Sequence, residues 1–163
     1  MKRDKLPLSD ALTARVNEVC IGLEAGVADI YDLVTEPTSN LLRYWFLQDF
    51  SDLRGSLNFH SGQKQAILNT IYAHEVLNVT SLKELYVEVA PDALTEKNLL
   101  THISKEKYQH PKYCLKMATG TGKTWVLQAL LIWQLINKIE NPTDSRFTRN
   151  FLIVAPGLIV YDR

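Results

Sequence analysis

The eight residues Met117-Ala118-Thr119-Gly120-Thr121-Gly122-Lys123-Thr124 hold the clearest chemical signal in the chain. Glycine at 120 and 122 lets the backbone take conformations that a Cβ forbids, so that successive N–H groups can converge on one anion. A helix beginning at about Gly122 would add its positive N-terminal end. Lys123 would bring a mobile point charge to the β- and γ-phosphates of a nucleotide, and Thr124 a hydroxyl to the Mg²⁺ that bridges them. Thr119, Gly120, Thr121, Gly122, Lys123 and Thr124 therefore form a candidate phosphate cradle. The pattern G-x-x-x-x-G-K-[ST] asks for glycine in its first place, and Met117 stands there instead. The bland alternative is an accidental Gly-Lys-Thr at a helix start.

The elements around the loop argue against accident. Tyr113 to Met117 reads as a short buried strand and Ala118 to Gly122 as a small-residue loop. From Lys123 to Ile139 apolar residues fall almost all round a helix, so burial on more than one side is expected. Asn141-Pro142 stops that helix, and a polar connection leads to Phe151-Leu152-Ile153-Val154-Ala155, a β-prone run of the kind found in parallel strands covered on both faces. Strand, glycine loop, helix and strand make a βαβ unit with a right-handed crossover.

Upstream the periodicity is helical. Leu12, Val16, Val19, Leu23, Val27, Ile30 and Val34 recur at steps of three and four, which predicts a helix over Ser9–Val34 that Gly22 and Gly26 weaken. Thr35-Glu36-Pro37 ends it. Further helices are expected over Ser39–Phe50 and Ser61–Leu77, with a turn region around Gly55 between them. Leu82, Leu85 and Val89 suggest a short helix before Pro91, and Thr95–Glu106 another after it.

Composition bounds the rest. The chain has 163 residues, 46% hydrophobic and 22% charged, about one ordinary globular domain. That excludes a disordered tail and a disulfide scaffold. No apolar run reaches the roughly 18 residues needed to span a bilayer, and the N-terminus does not read as a secretory signal. A cytoplasmic location and no membrane partner are expected. Eighteen Lys and Arg balance eighteen Asp and Glu, so net charge does not argue for nucleic acid, and the local basic clusters read as solvated surface. Two separated cysteines and four histidines without ligand spacing predict free thiols and no structural metal site.

The octet Met117 to Thr124 resembles motif I of superfamily 2 helicases and translocases of the DEAD/DEAH type. Its form is similar to that of the motor subunits of type I and type III restriction enzymes, which makes Met117 a family variant. The segment Asn58 to Ile67 is similar to the stretch that precedes motif I, where a glutamine reads the adenine edge. Gln63 stands at that position, and an amide can offer the paired donor and acceptor that adenine N6 and N7 require. An exposed helical glutamine is the alternative. Phe151–Pro156 followed by Gly157 resembles motif Ia, whose loop touches the DNA backbone, so Pro156 and Gly157 are weak candidate DNA contacts; a plain glycine turn serves equally well.

The resemblance covers about residues 57–163. Gln63 and Lys123 lie 60 positions apart, more than in many helicases, so 78–110 reads as an insertion. The implied fold class is α/β: an incomplete RecA-like P-loop NTPase domain over 57–163, holding the first strands of a parallel sheet, preceded by a helical region over 1–56. The implied function is the ATP-binding N-terminal portion of a DNA-dependent ATPase or translocase. ATP and Mg²⁺ are its cofactors, DNA its partner, and a modification methyltransferase a candidate partner.

Hydrolysis in such motors also needs an Asp-Glu pair and an arginine finger from a second motor domain. No Asp-Glu dipeptide occurs here, so no residue is assigned a catalytic role. The expectation is the first piece of a longer motor that binds nucleotide without turning it over and exposes sticky edges. Two alternatives stay open: another P-loop class such as a nucleotide kinase or switch GTPase, and a non-catalytic remnant or assembly module whose helices over Ser9–Phe50 bind a partner.

Overall fold

The computed structural model describes residues 6–96, 98–110 and 112–154. Helix α1 (Pro7–Val19) opens on proline, at a position where a missing N–H costs nothing, and buries Leu12 and Val16. It does not run on to Val34. Gly22 and Gly26 take φ of +81° and +75° around a short 3₁₀ turn at Leu23–Ala25, and a Cβ on Gly22 would meet Val27 Cγ2 at 2.7 Å. The glycines break the helix, and a single turn, α2 (Ile30–Leu33), follows.

Thr35 caps α3 (Glu36–Phe46) by accepting from the Thr38 N–H, and Pro37 sits in its first turn. Thr38, Leu42, Trp45 and Phe46 form its buried face. The helix expected over Ser39–Phe50 divides at Leu47, and α4 (Gln48–Arg54) occupies much of the expected turn region. Then α5 (Ser61–Ile71) passes into a π-helical turn (Tyr72–Val76), closed by Leu77 N–H donating to the Tyr72 carbonyl at 2.9 Å. The segment 78–110 folds as α6 (Leu82–Val89), a 3₁₀ turn at Pro91–Thr95, α7 (Leu99–Ile103) and a last 3₁₀ turn at Glu106–Tyr108. Helix α8 (Lys123–Glu140) is the longest.

One apolar cluster joins these helices. Leu12 and Val16 of α1, Leu42 and Phe46 of α3, Ile67 and Ile71 of α5, Leu85 and Val89 of α6, and Val126 and Trp133 of α8 all belong to it. Helices α3 and α5 both pack on α8, and α1 packs on α5 and α6.

The expected α/β class is overturned. Among the described residues the chain is helical, with no strand and no sheet. Residues 112–117 and 151–154 are irregular. The physical reason is that a strand exists only through a neighbour's backbone groups and, in a parallel sheet, through cover on both faces. Leu115 and Met117 pack singly against the helical core, while Leu152 and Val154 are 90% and 83% exposed. A β-prone run without partners stays unpaired.

The all-round apolar helix is also only half satisfied. Helix α8 buries Val126, Ala129, Trp133 and Asn137, but Trp125, Leu127, Ile132 and Ile139 are exposed. Among the described residues no helix is long and apolar enough to cross a membrane.

Candidate nucleotide site

The N-terminal ends of α5 and α8 meet, and each end carries part of the predicted site. At α5, His60 precedes the helix, and the Gln63 side chain turns back to accept from the His60 N–H at 3.0 Å. This is one half of a capping box, so Gln63 has a local structural task as well as any chemical one. Its amide nitrogen then crosses to the glycine loop and donates to the carbonyls of Thr121 and Gly122 at 3.1 and 3.2 Å. His60 adds a third bridge, Nε2 to the Thr121 carbonyl at 3.0 Å. Because that acceptor is a carbonyl, Nε2 carries the proton. Gln63 is only 6% exposed, so the exposed-glutamine alternative does not describe it.

At α8 the loop folds as a tight turn. Thr121 Oγ1 donates to the Ala118 carbonyl at 2.7 Å, and Gly120 and Gly122 take φ of +80° and +69°. Gly122 is the residue on which α8 starts, in the left-handed region that a side chain rarely adopts. It is also tightly approached: a Cβ there would lie 2.5 Å from Gln63 Nε2.

Between these ends lies a cavity of about 270 Å³, walled by Phe59, His60, Gln63, Thr121, Gly122 and Trp125, with Gly120 at its edge. Trp125 is 55% exposed at the rim and meets Phe59 edge-on at 6.4 Å between ring centres. Phe59 in turn is held edge-on by Trp45 and Phe46 of α3 at 6.1 and 5.7 Å. The cavity thus offers aromatic walls, one carboxamide and the start of a helix.

Of the residues predicted from sequence, Gln63, Gly120, Thr121 and Gly122 come together here. Lys123 points elsewhere, donating to the carbonyls of Met117 and Ala118, both at 2.9 Å. It lines a second, largely apolar groove of about 480 Å³ with Leu115, Met117 and Val126. Thr119 and Thr124 are exposed on the loop and the first turn of α8. Pro156 and Gly157 lie outside the described residues. Among the described residues no group of three or more His, Cys, Asp or Glu could hold a metal ion.

Sequence reasoning missed the walls. Phe59, His60 and Trp125 stand within four positions of Gln63 or Lys123, and that closeness was the available signal. It also missed Glu75, 3% exposed, although Ile67, Ile71 and Glu75 follow one another at steps of four along the buried face.

The family model for the type III restriction enzyme, res subunit, matches residues 56–163. No curated protein and no solved structure matches the chain significantly.

Proposed function

Since this chain belongs to the type III restriction enzyme Res subunit family, we propose that it binds ATP with Mg²⁺ as the nucleotide-holding part of a DNA-dependent motor. The observation that carries this reading is the pairing of Gln63 with the loop carbonyls of Thr121 and Gly122 across 58 and 59 positions of chain. It puts an amide suited to adenine beside a loop suited to phosphates.

In this reading the adenine enters the cavity between Gln63 and Trp125. Gln63 Oε1 has a second lone pair free to accept from adenine N6, while Nε2 must release one loop carbonyl to reach N7. The phosphates would be held by N–H groups of the loop between Gly120 and Thr124, at the positive end of α8, with the Thr121 N–H leaving the Ala118 carbonyl. Lys123 Nζ, now spent on Met117 and Ala118, swings to the β- and γ-phosphates, an exchange of neutral acceptors for charged ones that favours the bound form. Residues 120–124 fit a triphosphate because both glycines already adopt positive φ. Mg²⁺, held by Thr124 and the phosphates, would supply charge neutralisation there.

Hydrolysis is not assigned to these 163 residues, which hold no Asp-Glu pair. DNA, through the motor, and a modification methyltransferase belong to the same proposal as partners, and the cytoplasm as its location. A GTPase reading fits less well, because guanine presents two acceptors where Gln63 expects a donor and an acceptor.

Calorimetric titration with Mg·ATP tests the reading. The chain should bind ATP saturably, and Lys123→Ala at least about tenfold more weakly. Absence of any heat from the native chain, with its helical circular dichroism intact, would sink it.

A further inference from the structure

A buried polar network lies about three turns along from the helix ends that carry the site. Glu75, in the π-helical turn after α5, is 3% exposed, and Thr38 of α3 and Asn137 of α8 are fully buried. Thr38 is the hub. Its hydroxyl donates to Glu75 Oε2 at 2.8 Å and accepts from Trp133 Nε1 at 3.1 Å and from Asn137 Nδ2 at 2.8 Å. Trp133 Nε1 also donates to Glu75 Oε2 at 2.9 Å, and the Thr35 N–H donates to Glu75 Oε1. Among the described residues no buried side-chain polar atom lacks a partner.

This network has a specific geometric relation to the nucleotide site. Helices α5 and α8 touch at their N-terminal ends through Gln63 and Gly122, and the pair meets again about three turns on, where Glu75 of the π turn accepts from Trp133 in the middle of α8. Twelve residues of α5 and its π turn separate Gln63 from Glu75, and ten residues of α8 separate Lys123 from Trp133. Both are stiff rods of about 15–18 Å at 1.5 Å per residue. The network is one of the contacts that set their spacing, beside the apolar packing of α5 on α8, and without it the pair settles at a different spacing. Helix α3 holds the same pair twice, through Thr38 here and through Trp45 and Phe46 against Phe59 at the cavity wall. A π-helical turn interrupts α5 at the point where Glu75 enters the network.

We propose that Thr38, which precedes the family-matched segment 56–163, is a positioning residue for base recognition: through Glu75 and Trp133 it sets the distance between Gln63 and the glycine loop. The helices before residue 56 then form part of the nucleotide site. This rests on the reading that the cavity takes the adenine of ATP.

Removing the Thr38 hydroxyl leaves the buried Glu75 Oε2 and Asn137 Nδ2 each one partner short, and the helices shift to recover them. A misplacement of about 1 Å is enough to spoil a two-point contact to a base. The phosphate loop is closed by its own bond, Thr121 Oγ1 to the Ala118 carbonyl, and a ligand without a base makes no use of the Gln63 amide.

The test compares ATP with tripolyphosphate, which has phosphates and no base. Thr38→Val keeps the side-chain shape and should weaken ATP binding about tenfold, as expected for one buried hydrogen bond, while changing tripolyphosphate binding less than about twofold. Thr38→Ser restores the hydroxyl and should restore the ratio. Trp133→Phe, which removes another donor to the same carboxylate, should repeat the effect. A folded Thr38→Val protein with the native ratio of ATP to tripolyphosphate affinity overturns the proposal, as does unfolding of both Thr38→Val and Trp133→Phe, which would make the network a determinant of the fold alone. If the native chain binds neither ligand, the nucleotide reading itself falls. If it binds both and the variants do not discriminate, only the role of Thr38 falls.

Discussion

Gln63 and Gly122 are fitted to each other atom by atom. The amide nitrogen of Gln63 donates to the Gly122 carbonyl at 3.2 Å, and a Cβ on residue 122 would stand 2.5 Å from that same nitrogen. Gly122 therefore answers two demands, a left-handed φ of +69° at the start of α8 and room for the side chain that closes the cavity.

Gly122→Ala should fail on both counts. The left-handed conformation costs a residue with a Cβ roughly 1–2 kcal/mol, and the overlap drives Gln63 out of its place. Thermal denaturation should show a melting temperature several degrees lower, and ATP binding should be lost. An alanine variant as stable as the native chain would contradict the local geometry.

Lys123→Ala separates binding from folding. Both bonds of Lys123 Nζ go to exposed loop carbonyls, so its loss should change stability by less than about 0.5 kcal/mol. Nucleotide affinity should nonetheless fall at least about tenfold, because the one mobile positive charge of the loop is gone. A large drop in melting temperature would show that the lysine serves the fold.

The sequence made the glycine loop, α8 and the helix carrying Gln63 legible, because each rests on local rules: glycine at positive φ, apolar periodicity, and proline at a boundary. Gly22 and Gly26 were legible as a weakening of the helix expected over Ser9–Val34, but not as the two turns at positive φ that end it. The sheet was not, since Phe151 to Val154 have the composition of a strand, but pairing depends on partners that local composition does not specify. The Thr38–Glu75–Trp133 network was equally hidden, because it joins residues up to 95 positions apart and leaves only one odd glutamate on an apolar face as a trace.

The loop after α8 should carry an acid-sensitive contact. Asp144 accepts from Arg146 Nη2 at 2.7 Å, and this guanidinium holds its carboxyl below the usual aspartate range. A carboxyl whose folded pKa is depressed contributes stability above its unfolded pKa and loses it as pH falls through the folded one. Asp144→Asn should lower stability at neutral pH by about 0.5 kcal/mol, as partly exposed pairs do, and the difference should vanish in acid. Melting curves at pH 7 and below the aspartate range check both statements.

The apolar side chains exposed on α8 and after it predict association. Ile139 is 60% and Leu152 90% exposed, alongside Trp125, Leu127 and Ile132. Exposed apolar side chains of this kind favour self-association. Sedimentation velocity should show mass rising with concentration, and Ile139→Lys combined with Leu152→Lys should reduce it. A monodisperse native monomer at high concentration would contradict this.

The most direct test of the central claim is nucleotide choice by the native chain and by Gln63→Ala. Titration with Mg·ATP and Mg·GTP should give a clear preference for ATP in the native chain. That preference should disappear in the variant, which keeps its helical circular dichroism and its affinity for tripolyphosphate. Equal binding of ATP and GTP by the native chain, or an undiminished preference after the glutamine is removed, would contradict the assignment of this cavity to adenine.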